Sequence, residues 1–197
     1  MRTITISRQY GSGGKRIAVL LSEKLGIPYY DSSRLLLAGE RYGISSGLVE
    51  ALEKNTSLLY GLAKAADPTN PGDRLVLPGQ MFQAQMDSMK RLAGEGPCIF
   101  LGRCADHILR DQENLLRVYV YASNMEDRIS RVKYHKNLSQ REALSRIAEK
   151  DHRRMNYYHF YTGQEWGRKE NYDLCLNTST MDIDTCVELI AKLSQYW

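Results

Sequence analysis

The sequence predicts an α/β fold on a mainly parallel sheet, and two features carry that prediction. Short β-branched or apolar runs alternate with longer amphipathic ones along the chain, the pattern of strands separated by covering helices. One of those runs, Cys98-Ile99-Phe100-Leu101, is apolar at every position, as a strand covered on both faces must be. At 197 residues, with 43% hydrophobic and 25% charged side chains, the chain suffices for one domain with a full core under about five or six strands.

The first strand is expected at Ile4-Thr5-Ile6. Gly11, Gly13 and Gly14 follow, then Lys15-Arg16 and an amphipathic run from Ile17 to Leu25. Strand, glycine-rich turn and helix in this order can bind an anion, because glycines let backbone N–H groups close around it at the positive end of the helix dipole. The other reading is a plain tight turn that uses glycine for positive φ; the order of elements favours phosphate. The phosphate-loop consensus is Gly, four residues, Gly, Lys and a hydroxyl residue. With Lys15 as the lysine, Gln9 stands in the first glycine position; registered on Gly11 and Gly13, Gly14 takes the lysine slot. No hydroxyl follows in either register, since Arg16 is there, and Arg8, Lys15 and Arg16 are the candidate phosphate cations, with Ser12 inside the loop.

Gly26 to Tyr30 reads as a turn and second strand, and Asp31 or Ser32 caps a helix that runs past Arg34 to Glu40. Ile44, Leu48, Leu52, Leu59 and Leu62 give a helical stripe, and Asp67–Gly79, with three prolines and two glycines, reads as a mobile surface loop. A helix over Gln80–Ala93 precedes the apolar strand, which ends at Gly102-Arg103. Leu115–Tyr121 is the next strand, followed by a helix with Arg128 and Arg131, a longer helix over Ser139–Tyr161, a last strand at Leu174–Asn177 and a closing helix over Asp182–Tyr196.

In such sheets ligands bind beyond the carboxyl ends of the strands. Arg8 to Lys15, Asp31-Ser32, Gly102-Arg103 with Asp106, and Ala122 onward therefore converge. Arg103 can fork onto a phosphate or pair with Asp106; Asp31 can cap a helix or touch the ligand. From Arg128 to Arg154 nine Lys or Arg face three Asp or Glu, although the whole chain carries only +4. That excess, which includes Lys150, Arg153 and Arg154, suits a polyanionic ligand better than a solvated surface. Tyr157, Tyr158 and Tyr161 interleave it as in an RNA-binding face, but they equally fit helical packing, and nucleic acid is not expected. Cys98, Cys104, Cys175 and Cys186 lack metal or disulfide spacing, Cys98 and Cys175 reading as buried strand thiols, which points to a reduced, cytoplasmic protein without a metal site. No run approaches membrane-spanning length.

Ile6 to Gly14 with Gly26-Ile27-Pro28-Tyr29-Tyr30-Asp31 resembles the opening of the cytidylate kinase-like family, a branch of the P-loop nucleoside monophosphate kinases. The similarity continues through Gly102-Arg103-Cys104-Ala105-Asp106, Ala122-Ser123 with Glu126, Arg128 and Arg131, and Tyr172-Asp173-Leu174 with Asn177-Thr178-Ser179. The resemblance implies a P-loop NTPase-like three-layer sandwich with a five-stranded parallel sheet. It implies a single domain over 1–197, a helical arm for the nucleoside monophosphate at about 32–95 and a basic lid at about 128–170. Asp31, Ser32 and Arg103 match acceptor-binding positions, with Arg34 the nearest cation to an arginine that the family places where Leu37 stands. Lys150-Asp151-His152-Arg153 matches the lid pattern, with Lys for its first Arg.

The resulting expectation is phosphoryl transfer from ATP to CMP, dCMP or a similar small phosphate acceptor. Gly11–Gly14 would cradle the donor, Lys15 would neutralise the transferring group, and Arg128, Arg131 and Arg153 would close over it, with Mg2+ held through water on the phosphates. The alternative is a nucleotide-binding sensor with little turnover, since the loop departs from consensus.

Overall fold

The structure is a computed structural model that describes residues 1–35 and 76–196. The described residues contain β1 (Thr3–Arg8), α1 (Gly14–Leu25), β2 (Tyr29–Tyr30), α2 (Val76–Glu95), β3 (Ile99–Leu101), α3 (Ala105–Ile108) and β4 (Leu115–Tyr121). They continue through α4 (Met125–Lys136), α5 (Gln140–Thr162), a 3-10 turn (Lys169–Asn171), β5 (Leu174–Asn177) and α6 (Ile183–Gln195). The five strands lie in the order β2-β3-β1-β4-β5, every pairing parallel. β1 is central, with Ile4 level with Ile99 on one side and Leu116 on the other.

Two layers of helix close the sheet, and β1, β3 and β4 are buried on both faces. Ile4, Ile6, Val118 and Val120 meet Ile17 and Leu21 of α1 and Val187 and Ile190 of α6. On the opposite face, Phe100 and Leu115 meet Met89 and Leu92 of α2, Ile108 of α3 and Tyr158 of α5. Ile129 and Val132 of α4 pack on Ala143 and Ile147 of α5 in a separate cluster. A fully buried aliphatic side chain contributes about 1.5–3 kcal/mol, so these layers hold the strand ends rigidly.

The helix ends follow local chemistry. Gly13 caps α1 at φ 86 and Gly26 ends it at φ 66, a conformation that carries no Cβ penalty in glycine. Ser139 and Glu142 form a reciprocal capping box at the start of α5. Asp182 Oδ1 accepts from Thr185 N at 2.7 Å at the start of α6.

Two expectations change. α2 starts at Val76, so residues 76–79 are helix, with Pro78 in the first turn where its missing N–H costs little. The rest of the expected loop, the leucine stripe of 44–62 and most of the arm lie outside the described residues. Cys175 is exposed because β5 is the sheet edge. The second strand is the short Tyr29–Tyr30, as the reading of Gly26–Tyr30 as a turn and short strand expects. Among the described residues no helix is long and apolar enough to cross a membrane.

Candidate functional site

Gln9 to Gly13 turn the chain from β1 into α1, and side chains from the C-terminal half brace the carbonyls of that turn. Arg154 Nη1 donates to Arg8 O at 2.8 Å, Arg128 Nε to Tyr10 O at 2.9 Å, Arg131 Nη1 to Gly11 O at 3.3 Å and Thr178 Oγ1 to Ser12 O at 2.8 Å. Asp151 is the hub. It accepts from Tyr10 N at 2.7 Å, pairs with Arg128 and lies 3.5 Å from Arg154 Nη1. A trans peptide holds its N–H opposite its C=O. The N–H groups of Gly11 and Gly13 therefore face away from the braces, on the side where the first-turn amides of α1 also lack helical carbonyl partners. This is the geometry of an amide nest for an anion.

Beside the loop, at the carboxyl ends of β1 and β3, lies a cavity of about 230 Å³. Ser7 and Arg8 reach it from β1, Gly102, Arg103 and Cys104 from the turn after β3, and Ser32 from the turn after β2. α5 adds Lys150, Arg153, Arg154, Tyr157 and Tyr158, and Trp166 closes one side. Among the described residues, five cations thus line the cavity and no carboxylate does. Burial, then Arg154 and Arg103, pulls the Arg8 guanidinium well below its ordinary pKa. Burial and then Arg153 lower Lys150. An anion in the cavity would relieve both.

The turn after β3 is strained. Gly102, Arg103 and Cys104 have φ of 78°, 59° and 58°, a region that L-residues rarely occupy in succession. It places the Arg103 guanidinium 5.4 Å from the centre of the Tyr157 ring. Beneath the turn, Asp106 is 3% exposed and accepts from Tyr158 Oη at 2.6 Å and Ser7 Oγ at 3.5 Å. Burial drives its carboxyl pKa up.

The cavity therefore gathers Arg8, Ser32, Arg103, Lys150, Arg153 and Arg154. Arg128 and Arg131 bond to the carbonyl side of the loop instead. Lys15 Nζ sits 3.1 Å from Asp31 Oδ2 and is 68% exposed, and Arg16 is exposed. Asp31 also caps the next helix, accepting from Arg34 N at 3.2 Å. The Arg34 guanidinium folds back over Tyr29, 4.0 Å from its ring centre. Ser12 is buried and its Oγ bonds Gln9 O at 2.9 Å. Sequence reasoning missed Ser7 and Trp166 and took Tyr157 and Tyr158 for packing. The signal for Trp166 was present in the glycines that flank it: Gly163 ends α5 at φ 68, and a Cβ on Gly167 would stand 2.7 Å from Tyr119 Oη.

Comparison with known proteins gives a consistent picture. The model of the cytidylate kinase-like family matches residues 3–180. A cytidylate kinase of Methanothrix thermoacetophila is 30% identical over 182 residues, covering 91% of this chain and 90% of that protein. Among solved structures, an uncharacterized protein from Eubacterium ventriosum ATCC 27560 superposes over 100% of both chains with a TM-score of 0.73 at 23% identity. Shikimate kinase from Bacteroides thetaiotaomicron covers 99% of both chains with a TM-score of 0.54 at 12% identity. These two structural likenesses show a shared fold.

Proposed function

The chain belongs to the cytidylate kinase-like family, and from that premise we propose that it transfers a phosphoryl group from ATP to a nucleoside monophosphate of the CMP or dCMP kind, or to a similar small phosphate acceptor. The observation that carries this reading is the cavity at the carboxyl ends of β1 and β3, whose described lining residues include five cations and no carboxylate. A transferring phosphoryl group asks the protein for positioning and charge neutralisation rather than covalent chemistry. Arg103 holds the acceptor phosphate from the strained turn, Ser32 adds a hydroxyl, and Lys150 and Arg153 of α5 enclose it and exclude water. The N–H groups of Gly11, Gly13 and Gly14 cradle the donor phosphates at the start of α1. The braces behind them, Arg128, Arg131 and Arg154, keep the nest in shape. In this reading residues 32–95 form the acceptor arm and 128–170 the lid of one domain, and the protein works in the cytoplasm.

Among the described residues no group of three or more His, Cys, Asp or Glu is placed to hold a metal ion, and the Ser12 hydroxyl is bonded to Gln9 O. In this reading magnesium arrives on the donor phosphates and is held through water.

One observation favours a second reading, a nucleotide sensor with little turnover: Lys15, the loop-adjacent lysine, is held by Asp31. A coupled assay of ADP release with ATP and a panel of nucleoside monophosphates separates the two. ADP formation with CMP or dCMP supports transfer. Micromolar ATP binding by calorimetry with no ADP release from any acceptor overturns it in favour of the sensor.

A further inference from the structure

Cation and glycine have exchanged places inside the loop. The consensus puts a glycine five residues before the second glycine, and a lysine immediately after that second glycine. Gly13 caps α1 and Gly14 is its first residue, so the lysine position falls on Gly14 and the leading glycine position on Arg8. The two positions touch. A Cβ built on Gly14 would stand 2.6 Å from Arg8 Cβ and 2.9 Å from Arg8 Cγ, so a lysine at 14 and an arginine at 8 exclude one another. Gly14 lies outside the left-handed region; its backbone does not require glycine, and its neighbour does.

The far end of Arg8 is shaped in the same way. A Cβ on Gly102 would collide with Arg8 Nη1. Two glycines, one at the start of α1 and one in the turn after β3, thus leave a slot in which Arg8 lies. Its own carbonyl is fixed by Arg154 Nη1 at 2.8 Å. The slot opens into the cation-lined cavity, whereas Lys15 extends to Asp31.

We propose that Arg8 is the phosphate-gripping cation of this loop and supplies, from the opposite end of the turn, the charge that the consensus gives to a lysine. Resting on the phosphoryl-transfer reading above, it assigns the Arg8 guanidinium to the transferring phosphoryl group, which it meets as a planar two-donor fork rather than a point charge.

The test is an exchange. Arg8→Gly, Gly14→Lys and the double variant are compared with wild type by calorimetry with magnesium ATP, by thermal melting and by ADP release. Arg8→Gly is expected to weaken ATP binding roughly ten- to a hundredfold, the range for one charged contact. Gly14→Lys alone is expected to melt below wild type, because Arg8 fills its space. The double variant is expected to regain the melting temperature and ATP affinity to within about tenfold of wild type. Arg8→Gln, which keeps the slot filled, covers the case in which Arg8→Gly does not fold. Wild-type ATP affinity in Arg8→Gln, or loss of CMP affinity with ATP affinity intact, overturns the proposal while leaving the transfer reading in place. Loss of ATP affinity in Arg8→Gln, in a protein that turns over no acceptor, upholds the assignment of Arg8 and sinks the transfer reading. A wild type that binds neither ATP nor pyrophosphate overturns both.

Discussion

Two groups of arginines lie on either side of one loop, and only their partners tell them apart. On one side Arg128 and Arg131 donate to the carbonyls of Tyr10 and Gly11, with Asp151 pairing Arg128. On the other, Arg8, Arg103 and Arg153 line a cavity with no carboxylate among its described walls, although Arg153 also pairs with Glu149 at 2.7 Å along α5. Arg154 belongs to both, lining the cavity and donating to Arg8 O. Charge density alone therefore does not mark a ligand site. A guanidinium whose donors are engaged by buried carbonyls is a strut; one that lines a hollow between strand ends can reach an anion that enters it.

That contrast is broken most sharply at Asp151. Its partner Arg128 is only 6% exposed as a side chain, so Asp151→Ala leaves a buried charge without its carboxylate. Removing one member of such a pair costs about 3–5 kcal/mol, and a chain of this size loses about 2–4 °C of Tm per kcal/mol. Asp151→Ala is expected to lower the urea midpoint and Tm accordingly. A variant that melts with wild type and fails only in turnover would move Asp151 to the ligand side.

Arg103→Gly makes the opposite claim. Glycine relieves about 1–2 kcal/mol of left-handed strain at φ 59 and returns about 0.5–1 kcal/mol through a looser unfolded chain. Stability should therefore stay within about 1 kcal/mol of wild type. Acceptor kcat/KM should fall by about 1.5–3 kcal/mol, the scale of a charged hydrogen bond. A large loss of stability with acceptor kcat/KM intact would make Arg103 a strut like Arg128.

Asp106 sharpens the comparison through pH. It is a buried carboxyl near the cations of the cavity, yet its partners are the hydroxyls of Tyr158 and Ser7. Burial raises its pKa in the folded state, so the folded protein binds its proton more tightly than the unfolded chain does. Wild-type stability then falls as pH rises from the ordinary carboxyl value of about 4 towards the raised folded value. Asp106→Asn removes that dependence and gains on wild type across the same window. Denaturant midpoints of the two proteins as a function of pH should diverge; parallel profiles would show that Asp106 is charged and compensated.

Much of the fold was legible because β3 is apolar throughout, β4 is so apart from Arg117 and its tyrosine hydroxyls, and β1 is rich in β-branched residues, which allows few alternatives. The site was half legible. Arg8, Arg103 and Arg153 are cations just past a strand or on the basic helix, and position alone finds them. The bracing role of Arg128 and Arg131 was hidden because it depends on carbonyl directions in a turn, which no side-chain pattern encodes. Lys15 drew the eye as the lysine after a glycine run, but its direction is set by the helix phase: one residue along α1 turns a side chain by about 100°. Gly14 takes the phase that faces Arg8, and Lys15 takes the next one, towards Asp31.

The smallest expected effect belongs to that lysine. The Lys15–Asp31 pair at 3.1 Å is largely exposed on the lysine side, and exposed pairs contribute about 0–1 kcal/mol. Burial alone would raise the Asp31 pKa, but the Arg34 amide and Lys15 together hold it below its ordinary value. The part of this that Lys15 supplies is present at neutral pH and lost as pH falls through that depressed value. Lys15→Ala should therefore cost less than about 1 kcal/mol at neutral pH, nothing under acid conditions, and less ATP affinity than Arg8→Gln. A Lys15→Ala variant that loses more ATP affinity than Arg8→Gln would show that the lysine leaves Asp31 when nucleotide binds. The divide between struts and cavity cations would then hold only for the protein without ligand.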